Sequence, residues 1–179
     1  MKDKRIGVVT GSCFDTVATE QFPDAQLYHF SSMADMITAL KSGKIDAYLH
    51  DEPLVIYVMG EDDGLTYVPE TLVSYDYAFA FPKTDSGRKL RDEMSAYLRQ
   101  IKSDGTMDRL QKTWFLRDEE NWKLPDYEQL PATNGKLVMA TDATVPPFTM
   151  VSKGRVTGLD INIVTRFCEA YGYGLTVKT

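Results

Sequence analysis

The feature that most constrains the fold is an alternation of short apolar segments with amphipathic helical patterns along residues 5–59. Short apolar runs bounded by turn residues are typical of buried strands, whereas apolar residues at three- and four-residue spacing are typical of helices. A βαβα order favours a mostly parallel sheet with helices on its faces. The predicted strands are 5–9, 26–30 and 46–49, and the predicted helices are 14–21, 33–40 and 53–59.

The second of these helices has a clear start and end. Ser32 with Asp35 three residues later predicts a capped beginning, and Gly43 marks the end. Two further strands are predicted at 65–68 and 77–81.

The remainder of the chain is predicted to be a helical region followed by a second, incomplete βαβ piece. Apolar stripes predict two helices between 86 and 115, and the charged stretch 116–134, with its two prolines, predicts a linker. A strand at 137–140, a loop to Gly158, a helix from about 160 to 171 and a strand at 175–178 follow. The predicted fold class is α/β, a mostly parallel sheet flanked by helices with an incomplete second βαβ piece.

Charge and composition exclude several classes of function. The formal charge of −6 argues against nucleic acid or an anionic membrane surface as the main partner. The first five residues lack a signal-peptide pattern, so either the protein is cytoplasmic or a targeting segment lies outside this chain. Cys13 and Cys168 are far apart and no Cys/His cluster exists, so we expect no metal, no cofactor and two small buried hydrophobic thiols.

Thr10, Gly11 and Ser12 lie where the first strand passes into the first helix. Backbone N–H groups at a helix start, together with two hydroxyls, suit a carboxylate or a phosphate. The loop is neither a Walker A nor a GxGxxG motif, and a plain strand–helix turn with a Ser or Thr cap stays open as the alternative.

His50 and Asp51 follow the third predicted strand, whose carboxyl end faces the ligand crevice in open α/β sheets. Asp51 could accept hydrogen bonds from an ammonium group, or it could cap the next helix. For His50 a hydrogen-bonded structural role is the alternative. Taken together, the two loops predict a site for a small zwitterion such as an amino acid.

Residues 5–115 resemble the second half of a type 2 periplasmic solute-binding protein of the polar amino acid family (family 3). The resemblance rests on the segments IGVVTGS (6–12), ALKSGKIDAYLHD (39–51), YAFAFPK (77–83) and LRQIKSDGTMDRLQKTWF (98–115).

Residues 135–179 resemble the beginning of the first lobe of the same family, through LVMATDATVPPF (137–148) and GRVTGLDIN (154–162). The resemblance therefore implies four parts in an unusual order. They are a second lobe (1–83), closing helices that dock on lobe one (84–115), a linker (116–134) and the start of a lobe one (135–179).

By this resemblance, Thr10, Gly11 and Ser12 contact the ligand carboxylate and Asp51 takes the ammonium, next to His50. Asp142 and Phe148 match first-lobe positions near the ligand. The implied function is non-enzymatic binding of a polar, glutamine-like amino acid as the solute-binding component of an ABC transport system. The implied partner is a membrane permease, and the implied location is periplasmic or extracytoplasmic, with membrane anchoring left open.

Three alternatives stay open for the function: the ligand-sensing module of a tandem-domain membrane receptor, a non-binding scaffold fragment, and a dehydratase. The chain could be part of a tandem receptor or a rearranged product whose two pieces assemble. In that second case we expect 135–179 to pack beside the helices of 86–115. An unfinished lobe also leaves a homo-oligomer or a domain swap open.

Overall fold

The computed structural model describes residues 2–60 and 64–179, in two compact units. One unit holds the chain up to Val55 together with Tyr67–Asp76, and the other holds Ile56–Thr66 and Tyr77–Thr179. Met1 and residues 61–63, which fall within the predicted second lobe (1–83), lie outside the described residues.

The first unit contains a three-stranded parallel sheet in the order β2-β1-β3. Ile6 of the central strand pairs with Leu27 on one side and with Ala47 on the other. Its elements are β1 (Arg5–Val9), α1 (Cys13–Gln21), β2 (Gln26–Phe30), α2 (Met33–Lys41) and β3 (Ala47–Tyr48), followed by α3 (Glu52–Met59), whose second half belongs to the other unit.

The central strand β1 forms the core of this unit. Ile6 and Val8 are fully buried, and Gly7 between them is crowded: a Cβ at this position would lie 2.7 Å from the Cδ1 atom of Ile45. The helix residues Met36 and Ala39 pack into the same core. The apolar segment 5–9 therefore forms the middle strand, since its side chains are buried on both faces of the sheet.

The predicted start of α2 is confirmed in atomic detail. The Ser32 hydroxyl oxygen accepts a hydrogen bond from the backbone N–H of Asp35, and the same hydroxyl donates to the Asp35 carboxylate at 2.8 Å. The helix ends before Gly43, which has a φ of 71°. These are local signals, so the sequence alone carries them.

The described part of the second unit contains the end of α3, three complete α-helices and two short 3-10 helices (Glu119–Asn121 and Tyr127–Gln129). It also contains a two-stranded parallel sheet (β4-β8) and a three-stranded antiparallel sheet (β5-β6-β7). Its helices are α4 (Asp85–Ser103), α5 (Thr106–Phe115) and α6 (Leu159–Tyr171). Its strands are β4 (Lys136–Ala140), β5 (Thr144–Val145), β6 (Thr149–Ser152), β7 (Arg155–Thr157) and β8 (Gly174–Lys178).

Helices α4 and α6 pack through aromatic side chains. The ring of Tyr97 lies 5.7 Å from that of Phe167 and 6.3 Å from that of Tyr171, centroid to centroid. Beyond the end of α6, the Tyr173 hydroxyl donates a hydrogen bond of 2.8 Å to the carboxylate of Glu93. The two chain pieces that resemble parts of one lobe therefore do pack together.

The segment 116–134 is packed rather than extended. The indole of Trp122 stacks on Trp114 at a centroid distance of 4.8 Å, and Tyr127 is only 6% exposed. The Tyr127 hydroxyl donates to the backbone oxygen of Val156 at 3.3 Å. Large aromatic side chains thus hold this stretch against its own unit despite its charge and prolines.

Two details of the predicted secondary structure are wrong. Residues 65–68 and 77–81 form no strand, since neither segment hydrogen-bonds to a neighbouring strand of the described sheets. The predicted loop before Gly158 instead contains the small antiparallel sheet β5–β7. An apolar alternation does not make a strand without a partner, whereas short hairpins need little pattern.

The predicted fold class, α/β with a parallel sheet flanked by helices, is confirmed. The four-part division of the chain stays a prediction. Across residues 2–60 and 64–179, none of the helices combines the length and apolar composition that a membrane crossing requires.

Candidate functional site

The Thr10–Gly11–Ser12 loop connects the end of β1 to the start of α1. Gly11 has a φ of 69°, a conformation that few residues other than glycine adopt readily. Ser12 is the N-cap residue of α1 with extended backbone angles, and its side chain makes no cap hydrogen bond. The loop is exposed to solvent at Thr10 and Gly11, so a ligand can reach it.

The two hydroxyls of this loop donate to backbone carbonyls. The Thr10 hydroxyl donates to the oxygen of Phe30 at 3.2 Å, and the Ser12 hydroxyl donates to the oxygen of Val9 at 2.7 Å. Their protons are therefore engaged, and their lone pairs can still accept. A carboxylate at this loop would depend on the backbone N–H groups of the first turn of α1.

Asp51 sits directly before α3 and caps it through its main chain. Its backbone oxygen accepts hydrogen bonds from the N–H groups of Leu54 and Val55, both at 3.1 Å. Its side chain is 28% exposed. The two interpretations of Asp51 are thus compatible, because capping uses the backbone carbonyl and not the side-chain carboxylate.

His50 is nearly buried, with 12% of its side chain exposed. Its Nδ1 atom accepts a hydrogen bond of 2.9 Å from the backbone N–H of Asp51. Nδ1 therefore carries no proton, and the neutral ring bears its proton on Nε2. Burial lowers the pKa of His50, and the nearby Asp51 carboxylate only partly offsets this effect.

The two loops lie at the same edge of the sheet, because β1 and β3 are parallel neighbours and both loops follow their carboxyl ends. A direct contact joins them: the ring of Phe14, in the first turn of α1, lies 5.1 Å from the imidazole of His50. Sequence reasoning missed Phe14, although an aromatic residue two positions after the candidate loop was a usable signal.

Asp142 and Phe148 belong to the second unit. The Asp142 carboxylate closes a local turn, accepting from the backbone N–H of Thr144 at 3.0 Å and from its hydroxyl at 2.6 Å. Phe148 is 8% exposed and packs against the rings of Tyr77 and Phe115, at 4.9 and 5.5 Å. A ligand role for these two residues stays a prediction.

The two cysteines differ in solvent exposure. Cys168 is buried, which raises the pKa of its thiol to about 12, whereas Cys13 is exposed as the first residue of α1. The expectation of a buried Cys13 is wrong, because the residue lies at the exposed start of α1, next to the Thr10–Ser12 loop. In the described ranges, no three His, Cys, Asp or Glu side chains are grouped so that they could hold a metal ion.

An open parallel sheet with a helix-start loop and a carboxylate at one carboxyl edge has the layout of half a ligand crevice. Comparison with known proteins also points to ligand-binding proteins. The chain is similar to amino-acid-binding proteins of ABC transporters, which confirms the resemblance found in its motifs. No family model matches the chain.

Among these relatives, the ABC transporter glutamine-binding protein GlnH of Bacillus subtilis (strain 168) is 30% identical over 117 residues, 65% of this chain and 42% of that protein. Two proteins of Escherichia coli (strain K12), ABC transporter arginine-binding protein 1 and a putative arginine-binding protein 2, are 24% and 21% identical over 118 residues. These matches cover 64% of this chain and 49% of each relative. The chain thus spans about half the length of the curated relatives it matches, and all three bear names of binding proteins rather than enzymes.

Proposed function

We propose that this chain is part of a solute-binding protein that binds a polar amino acid for an ABC transporter. The observation that carries the proposal is the common sheet edge of the Thr10–Ser12 loop and Asp51, joined by the contact between Phe14 and His50. The names of the relatives supply the class of ligand. A membrane permease is the proposed partner, and an extracytoplasmic location follows from that role.

In this proposal, the ligand carboxylate meets the N–H groups at the start of α1, where the helix dipole favours negative charge. The ligand ammonium meets the Asp51 carboxylate, which is the acceptor that a cation prefers. The neutral His50 adds an Nε2–H donor at the wall of the site. A zwitterion satisfies both ends, whereas a molecule with one charge leaves one end without a partner.

The first unit carries only one side of this crevice. The first-lobe positions Asp142 and Phe148 are proposed to face the ligand from the other lobe of a whole binding protein. We therefore expect weak affinity in the 179-residue chain. Amino-acid specificity, for glutamine or for another polar side chain, would be determined mainly by contacts that the matched half does not contain.

The experiment is a titration of the ¹⁵N-labelled chain with each of the twenty amino acids, followed by backbone amide shifts. We expect saturable changes at Thr10–Cys13 and at His50–Asp51 for one polar amino acid. The N-acetylated form of that amino acid, which lacks the ammonium, should give none at Asp51. At ten times its dissociation constant, the ligand should also raise the unfolding midpoint by about 3–6 °C.

Two Asp→Asn variants complete the design. Asp51→Asn keeps the carbonyl cap of α3 and removes the charge, so it should abolish binding of the free amino acid. Asp24→Asn makes the same change at an exposed position of the same unit and should bind as the parent does. Shifts scattered away from the two loops, or equal binding by both variants, would refute the proposal.

A further inference from the structure

The second unit has a cleft where the chain enters α4, and none of its lining residues belongs to the proposed amino-acid site. It has a volume of about 440 Å³ and opens to solvent. Its lining combines two half-buried aromatic rings, Phe79 and Phe81, with three cationic side chains, Lys83, Arg88 and Arg91. This volume is within the range of small-molecule sites.

The wall of the cleft is held in place by the start of α4. A Cβ atom at Gly87 would lie 2.1 Å from the backbone oxygen of Pro82, so only glycine allows the two segments to approach this closely. The Thr84 hydroxyl oxygen accepts from the backbone N–H of Gly87 at 3.1 Å. This close approach of Pro82 and Gly87 fixes the backbone at one end of the cleft.

The arginines keep donors for a ligand. Arg88 donates to the carboxylate of Asp85 and to the backbone oxygen of Lys83, and Arg91 donates twice to one carboxylate oxygen of Asp92. These described bonds use two of the five N–H donors of each guanidinium. Asp85 and Asp92 are 96% and 67% exposed, so water screens both ion pairs and they hold the arginines only weakly.

We propose that this cleft binds a small amphiphilic anion, with its apolar body on Phe79 and Phe81 and its acidic group on Arg88 and Arg91. An inorganic anion would leave the aromatic wall uncovered, and a neutral aromatic molecule would leave the remaining guanidinium N–H donors to solvent. The three cations stand out in a chain whose net charge is −6, so their grouping around an apolar wall favours an anion with an apolar body.

The test compares two probes that differ only in the acidic group. The first is 8-anilinonaphthalene-1-sulfonate, and the second is N-phenyl-1-naphthylamine, which has the same rings without the sulfonate. Binding to the 179-residue chain is followed by fluorescence titration. We expect saturable binding of the sulfonate, with the neutral probe at least about fivefold weaker, as the loss of one partly exposed charge-assisted contact implies.

A matched pair of variants tests whether the sulfonate binds at the arginines of the cleft. Arg91→Gln should weaken binding of the sulfonate about fivefold. Lys89→Gln removes the same charge two residues away, on a side chain that is 73% exposed and does not line the cleft. It should change the affinity for the sulfonate by less than about twofold. An unchanged unfolding midpoint shows that both variants are folded.

Equal binding of the two probes would overturn the proposal in favour of an exposed apolar surface only. Equal losses in the two variants, or no saturable binding of the sulfonate, would also overturn it. The result is independent of the proposed amino-acid site, because Asp51→Asn should leave binding of the sulfonate unchanged.

Discussion

Replacing Gly158 by alanine should destabilise the second unit more than the same change at a glycine of positive φ whose added Cβ has free space around it. Gly158 is the N-cap residue of α6 and has a φ of 129°. An added Cβ would lie 2.1 Å from the backbone oxygen of Phe148 and 2.9 Å from the N atom of Thr149. Both obstacles are main chain, so no side-chain rotation can relieve the clash.

The size of the destabilisation follows from the displacement of the start of α6. Displacing the start of α6 breaks the bonds from Leu159 N–H to the oxygen of Pro147 and from Asp160 N–H to the oxygen of Phe148, both 3.0 Å long. Each contributes about 1 kcal/mol net, and holding alanine at this φ costs about 1–3 kcal/mol. We expect the free energy of unfolding to fall by about 3–5 kcal/mol.

Gly154→Ala is the matched control, because Gly154 has a φ of 76° but no atom within 4 Å of its added Cβ. It should cost only about 1–2 kcal/mol, the ordinary penalty for a left-handed residue. Urea unfolding followed by tryptophan fluorescence reports on this unit, since both tryptophans, Trp114 and Trp122, lie in it. Equal losses in the two variants would refute the argument from backbone crowding.

Two further predictions concern the same unit. Trp122→Ala removes the stack on Trp114 and the indole N–H bond of 3.0 Å to the oxygen of Thr113, so the midpoint of urea unfolding, followed by circular dichroism, should fall by an amount equivalent to about 2–3 kcal/mol. An unchanged midpoint would mean that residues 116–134 do not pack as described. Burial raises the pKa of Asp160 from 3.8 to about 6, so the folded state holds this proton more tightly and stability should fall as the pH rises from about 4 to about 6. Asp160→Asn should gain stability relative to the parent by about 2 kcal/mol between pH 4 and pH 7 in urea titrations, and parallel pH profiles of the two proteins would contradict this.

The elements predictable from the sequence are those with local signals. The apolar segment around Ile6 and the Ser32–Asp35 cap fixed a strand and a helix start to within a residue or two. The predicted strand at 77–81 failed because pairing depends on a neighbour that local alternation does not supply. The hairpins of 144–157 escaped prediction because their strands are only two to four residues long.

For the candidate site, the sequence predicts which two loops lie at the same edge of the sheet. The carboxyl ends of the predicted parallel strands place Thr10–Ser12 and Asp51 at one edge of the sheet. What could not be predicted was the use of each polar atom: the hydroxyl of Ser12 donates to Val9, and the imidazole of His50 accepts from the backbone of Asp51. Such choices depend on distances of a few tenths of an ångström, which residue types do not determine.

The aromatic packing between α4 and α6 has a consequence for the order in which the chain folds. Tyr97 can contact Phe167, and Glu93 can contact Tyr173, only after about seventy to eighty further residues have been synthesised. During synthesis at about 5–20 residues per second, the apolar face of α4 is complete for several seconds before its cover emerges from the ribosome. That interval is when a nascent chain of this design most needs a chaperone.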